Sequence, residues 1–159
     1  MPRSLGPALP AALRRLFDGR DLAARIGLTF LLLTTDEQGW PHLALLSVGE
    51  LVATSEGRLD AALWLNSTSA RNLERDGRGL LALVSDGAGY SLRVHAHRQA
   101  DLDLGDDGRL ARFALDIDDV LEDAVAYATL TSGITFTLHQ PDQVVARWQR
   151  TIEALSVAE

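Results

Sequence analysis

The chain has 159 residues, 47% of them hydrophobic and 23% charged, with a formal net charge of −7 at pH 7. That length suffices for one domain with its own core, and the acidity excludes general binding to nucleic acid, which needs a basic footprint. Cysteine and lysine are absent, so all 15 basic residues are arginine, and disulfides, thiolate chemistry, cysteine-ligated metals and lysine Schiff bases are excluded.

Residues 7–26 read as a helical segment. Leu9, Leu13, Leu16 and Phe17 recur at helical spacing, Asp18-Gly19 marks a break, and a second short helix is expected over 21–26. Prolines and Arg14-Arg15 interrupt this run, so it does not read as a secretion signal. The longest apolar stretch, 28–33, has the length of a strand and not the ~20 residues of a membrane span. The expectation is a cytoplasmic protein without a membrane partner.

Residues 29–35 read as a buried strand, 36–39 (DEQG) as a turn and 41–48 as the returning strand of a hairpin. Pro41 suits a strand start because it has no N–H to donate. The span 48–57 is ambiguous between a helical turn and a ledge. Residues 59–65 form the next strand, and a helix follows over 69–76, ended by Gly77 and Gly79. Strands at 80–85 and 90–102 flank the turn DGAG; in the second, Leu92, Val94 and Ala96 face one way, and Arg93, His95 and His97 the other. Residues 109–126 read as an amphipathic helix, with Leu110, Phe113, Ala114, Ile117, Val120 and Leu121 on one side. A last core strand is expected over 134–138, and Pro141 opens a terminal helix with Val144, Val145, Trp148, Ile152 and Leu155 on its stripe. Short strands joined mainly by hairpins point to an antiparallel barrel with packed helices. No GxGxxG or GxxxxGK[ST] follows any strand.

The span 59–84, LDAALWLNSTSARNLERDGRGLLALV, carries the most chemistry. A strand runs into a hydroxyl-rich turn that opens a helix, where free N–H groups and hydroxyls converge on an anion. The same residues also suit helix capping, and both roles can coexist. The four histidines show no His/carboxylate ligand pattern, and the aspartates of 101–107 lack the distal glutamate of a calcium loop, so no metal site is expected.

The segments TTDEQGWPHLALLSV (34–48) and LWLNSTSARNLERDGRGLLALV (63–84), taken together in order and spacing, resemble the pyridoxamine 5′-phosphate oxidase-like superfamily of FMN-binding split barrels. The resemblance covers roughly 28–104. It implies a mainly β fold with flanking helices: a six-stranded antiparallel split β-barrel, one domain over 1–159 with 1–26 as its N-terminal helical segment. It also implies a homodimer, FMN at the dimer interface and oxidoreductase chemistry on a small-molecule substrate. Carried over by position, Asn66, Ser67, Thr68 and Ser69 would face the FMN phosphate, Arg71 would be its basic ligand, and Trp64 and Leu65 would lie near the isoalloxazine edge.

The chain departs from the oxidases in its sparse basic residues after Pro41 and in the segment GELVATSEGR, which replaces a simpler hairpin. It looks most like small bacterial members with an SVGE-type segment. A deazaflavin in place of FMN, a cofactor-free or ligand-sensing dimer, and a haem-binding barrel are the alternatives. No catalytic acid or base is identified; Arg93, His95 and His97 are candidates for a substrate mouth.

Overall fold

The computed structural model describes residues 1–157. Eight strands run in chain order: β1 (Arg3–Ser4), β2 (Phe30–Thr35), β3 (Pro41–Leu46), β4 (Leu51–Ser55), β5 (Arg58–Trp64), β6 (Arg78–Ser85), β7 (Ala88–Asp103) and β8 (Arg109–Asp123). Three helices accompany them: α1 (Ala11–Leu16), α2 (Thr68–Asp76) and α3 (Pro141–Val157). All described pairings are antiparallel, in the order β3-β2-β6-β7-β8-β5-β4, with β1 added beside β8. The ends of this path, β3 and β4, do not pair with each other, so the barrel is open. None of the helices is long and apolar enough to cross a membrane among the described residues.

The expected β2–β3 hairpin forms, with Phe30 opposite Leu46 and Thr35 opposite Pro41. Its turn is fixed by Asp36, whose Oδ1 accepts from the backbone N–H of Gln38 and of Trp40 at 2.9 Å each. On β7, Leu92, Val94 and Ala96 point into the core while Arg93, His95 and His97 face solvent. Phe17 and Phe30 meet with ring centroids 4.7 Å apart, joining the N-terminal segment to the barrel. Helix α1 is shorter than its apolar spacing suggests, and only a 3₁₀ turn, Leu22–Arg25, forms after the Asp18-Gly19 break.

Four differences from the expected elements change six strands to eight. Residues 109–126 do not form a helix; they supply β8, the central partner of both β7 and β5. The ambiguous span after Val48 contains β4, and Arg3–Ser4 adds β1. Residues 134–138 form no strand: both edges of the nearby β2 are already filled by β3 and β6. That segment lies across the barrel end instead, where the Phe136 carbonyl approaches Gly27 so closely that a Cβ would be 3.0 Å from it.

Helix α3 buries Val145, Trp148, Thr151, Ile152 and Leu155. This stripe at helical spacing covers β4 and β5 and brings the helix to one mouth of the barrel.

Candidate functional site

Helix α2 begins where the sequence places its cap. Asn66 takes a left-handed conformation (φ 61°), and Ser67 then accepts the Ala70 N–H on its Oγ at 3.1 Å. The N–H groups of Thr68 and Ser69, in the first turn, have no intrahelical acceptor. Ser69 as a residue is only 3% exposed, and its hydroxyl has no hydrogen-bond partner among the described residues but is not sealed from the cleft. Asn72, one turn on, ties the helix to β2 by donating to Thr34 Oγ1 at 3.0 Å.

A cleft of about 240 Å³ opens at this helix end. Its walls are the end of β5, the face of β3 carrying His42 and Ala44, the turn between β3 and β4, the β7–β8 turn and helix α3. Of the residues expected at the cofactor, Trp64, Ser67, Thr68 and Ser69 line it. Leu65, Asn66 and Arg71 do not. Arg71 is exposed, and its guanidinium donates to the Asn66 carbonyl at 3.0 Å, closing the turn from outside. Trp64 is 69% exposed, an apolar plate at the cleft mouth. Arg93, His95 and His97 lie elsewhere, on the outer face of β7. His97 is 3.2 Å from Asp116 and His95 3.7 Å from Asp118, both on β8.

Glu50 and Arg147, not singled out in the sequence, also line the cleft, together with Asp107 from the 101–107 aspartate cluster. Glu50 belongs to a reciprocal box with Ser47, an S-x-x-E arrangement. The Ser47 N–H and hydroxyl both donate to Glu50 Oε2, the latter at 2.9 Å, and the Glu50 N–H donates to the Ser47 carbonyl at 3.2 Å. Burial pushes the Glu50 carboxyl above its usual range, against the opposing pull of the Ser47 hydrogen bonds and the Arg147 charge. Asp107 is held below its usual range by a hydrogen bond from Arg150. The SVGE signature hints at the Ser47–Glu50 box. Nothing in the spacing of residues foretells that α3 brings Arg147 to the same cleft, because that proximity is tertiary.

Flavin mononucleotide combines a dianionic phosphate with a large apolar ring system. The cleft offers unpaired N–H groups and the unpartnered, cleft-accessible Ser69 hydroxyl at one end, with apolar walls and an exposed indole at its mouth. These donors suit the phosphate, and the walls suit the ring.

The architecture matches solved structures. A candidate pyridoxamine 5′-phosphate oxidase from Lactobacillus delbrueckii superposes with a TM-score of 0.56 at 16% identity, covering 74% of this chain and 98% of that one. HupZ of Group A Streptococcus superposes with a TM-score of 0.55 at 13% identity, covering 80% and 98%. The fold is therefore that of the pyridoxamine 5′-phosphate oxidase-like split barrels. No family model matches the chain. In sequence it is 36% identical over 140 residues to the uncharacterized protein YclD of Bacillus subtilis (strain 168), covering 88% of this chain and 90% of YclD. The chain belongs to the YclD family.

Proposed function

We propose that the protein is an FMN-binding flavoprotein that works as a homodimer and carries out oxidoreductase chemistry on a small molecule. The observation that carries this reading is the meeting of two features in one cleft: the unpaired donors of Thr68 and Ser69, and the apolar face ending at Trp64. In this arrangement the phosphate sits on the α2 N-terminus, where N–H groups and the helix dipole favour an anion. Asn66 and Ser67 shape the turn, Arg71 clamps it through the Asn66 carbonyl, and Trp64 and Leu65 border the ring.

The flavin supplies the hydride chemistry when bound. The chain's own residues bind, orient and exclude water. His42 and Glu50 sit in the same cleft, and burial pushes the Glu50 carboxyl above its usual range.

A second copy of the chain completes the site. The cleft of about 240 Å³ is smaller than the ~300–1,000 Å³ of most small-molecule sites. Beside it Trp64 stands exposed, and the edge strand β3 turns Leu43 and Leu45 outward. A protomer covering this rim would bury apolar surface and enlarge the enclosed space together.

The test is the absorption spectrum of the native protein with mass spectrometry of whatever it releases on denaturation. Flavin bands and the mass of FMN support the reading. A Soret band assigns the cleft to haem, and a deazaflavin mass replaces FMN with that cofactor. A colourless protein that FMN does not reconstitute supports a cofactor-free dimer.

A further inference from the structure

Most arginines of this chain are already engaged. Arg3, Arg14, Arg25, Arg78, Arg98, Arg109 and Arg150 all sit in ion pairs. Arg71 and Arg75 are occupied by the backbone carbonyls of Asn66 and Thr35. The exposed Arg15, Arg20, Arg93 and Arg147 have no side-chain hydrogen bond or ion pair among the described residues, and of these four Arg147 alone lines the cleft. The acidic groups around it have other partners: Asp107 is bound by Arg150 at 2.5 Å, and Glu50 by the donors of Ser47.

The same cleft is bordered by the unpaired N–H groups of Thr68 and Ser69 and by the Ser69 hydroxyl, which has no hydrogen-bond partner among the described residues and stays accessible from the cleft. An unpaired cation and unpaired donors thus border one small space, from two elements distant in sequence.

We infer that Arg147 is the cation that reads the anionic group of the ligand, closing on a phosphate monoester seated at the α2 N-terminus. The inference deepens the FMN reading and rests on it for the identity of the phosphate's owner. It assigns charge recognition to α3 and leaves Arg71 as a positioning residue outside the cleft. A planar guanidinium can meet two phosphate oxygens at once, which an ammonium cannot. Trp148, the next residue, is buried against Gly49 and so fixes the register from which Arg147 reaches the cleft.

The experiment compares FMN with riboflavin, which has the same ring but no phosphate. Binding is measured by fluorescence for the wild-type chain, Arg147→Ala, Arg147→Lys and Arg71→Ala. Arg20→Ala serves as a control for loss of one charge away from the cleft. Arg147→Ala is expected to weaken FMN binding roughly 10- to 100-fold and to leave riboflavin binding and the melting temperature unchanged. Arg147→Lys should recover part of the loss. Equal loss for FMN and riboflavin, no loss, or a loss matched by Arg20→Ala would overturn the inference.

Inorganic phosphate separates this inference from the cofactor reading. If wild-type protein binds no FMN but is thermally stabilised by phosphate, and Arg147→Ala abolishes that stabilisation, the anion site stands and the FMN reading falls. If neither ligand binds, both fall.

Discussion

The indole of Trp148 rests directly on the backbone of Gly49: a Cβ added to Gly49 would lie 2.0 Å from Trp148 Cγ and 2.1 Å from Cδ1. This contact joins α3 to the turn that holds Glu50. It explains a glycine at a position whose backbone does not itself demand one. Gly49→Ala should cost about 1–3 kcal/mol through overpacking, read as a lower urea midpoint. Tryptophan fluorescence should shift as the indole is displaced. Because Arg147 precedes Trp148, FMN affinity should fall as well. An unchanged midpoint would show that α3 yields freely.

Two carboxylates should give opposite dependences on pH. Asp60 is fully buried and binds Arg112 at 2.6 Å and 3.0 Å, Arg58 at 2.8 Å and the Thr54 hydroxyl at 3.1 Å. Burial raises its pKa, but the hydrogen bonds and charges of Arg58 and Arg112 prevail and hold it below the usual range. Its contribution is therefore complete above the unfolded value of about 3.9 and is lost as pH falls through the lower folded value. Asp60→Asn should cost about 3–5 kcal/mol near neutrality, with the gap to wild type narrowing in acid.

Glu50 runs the other way. Its folded pKa is raised, so its contribution is complete below about 4.3 and declines as pH rises through the folded value. Glu50→Gln keeps an acceptor for Ser47 and never ionises. Its stability relative to wild type should increase with pH, measured as urea midpoints from about pH 4 to pH 8. A flat difference would contradict the assignment.

Ser67 and Ser69 should separate stability from binding. Ser67→Ala removes the cap on Ala70 and should cost about 1 kcal/mol. Ser69→Ala removes a hydroxyl with no protein partner. It should leave the melting temperature nearly unchanged while weakening FMN roughly 2- to 10-fold. Paired calorimetry and binding titrations check both. Equal effects on the two quantities would remove Ser69 from the site.

The rim should be an interface. Leu43→Asp places a charge on the exposed edge of β3 outside the cleft lining, at a residue 52% exposed in a single chain. Size-exclusion chromatography with light scattering should show a dimer for wild type and a monomer for the variant, with FMN affinity lost in parallel. A variant that stays dimeric would move the interface elsewhere.

What could be read from the sequence divides along physical lines. The DEQG turn and the Ser67 cap are local devices, closed by neighbours in the chain, and both form where the residues place them. Strand β8 was misread because a bulge changes its phase. Ala111, Phe113, Leu115 and Ile117 alternate inward, then the register shifts: Val94 pairs with Ile117 and Arg93 with Asp119, so Asp118 is skipped and Val120 turns inward. Two strand phases joined this way place Phe113, Ile117 and Val120 at spacings of three and four, which imitates a helix. The cleft shows the same limit. Its α2 half lies within consecutive residues, whereas Arg147 and Glu50 join it only through packing of α3 across the barrel.

The most direct test of the whole account is a titration of purified wild-type protein with FMN, followed by quenching of flavin fluorescence. The account predicts saturable quenching at one FMN per protomer, with riboflavin bound markedly more weakly. Fluorescence that stays unquenched at FMN concentrations of tens of micromolar, from a folded dimer stripped of any other ligand, would contradict it.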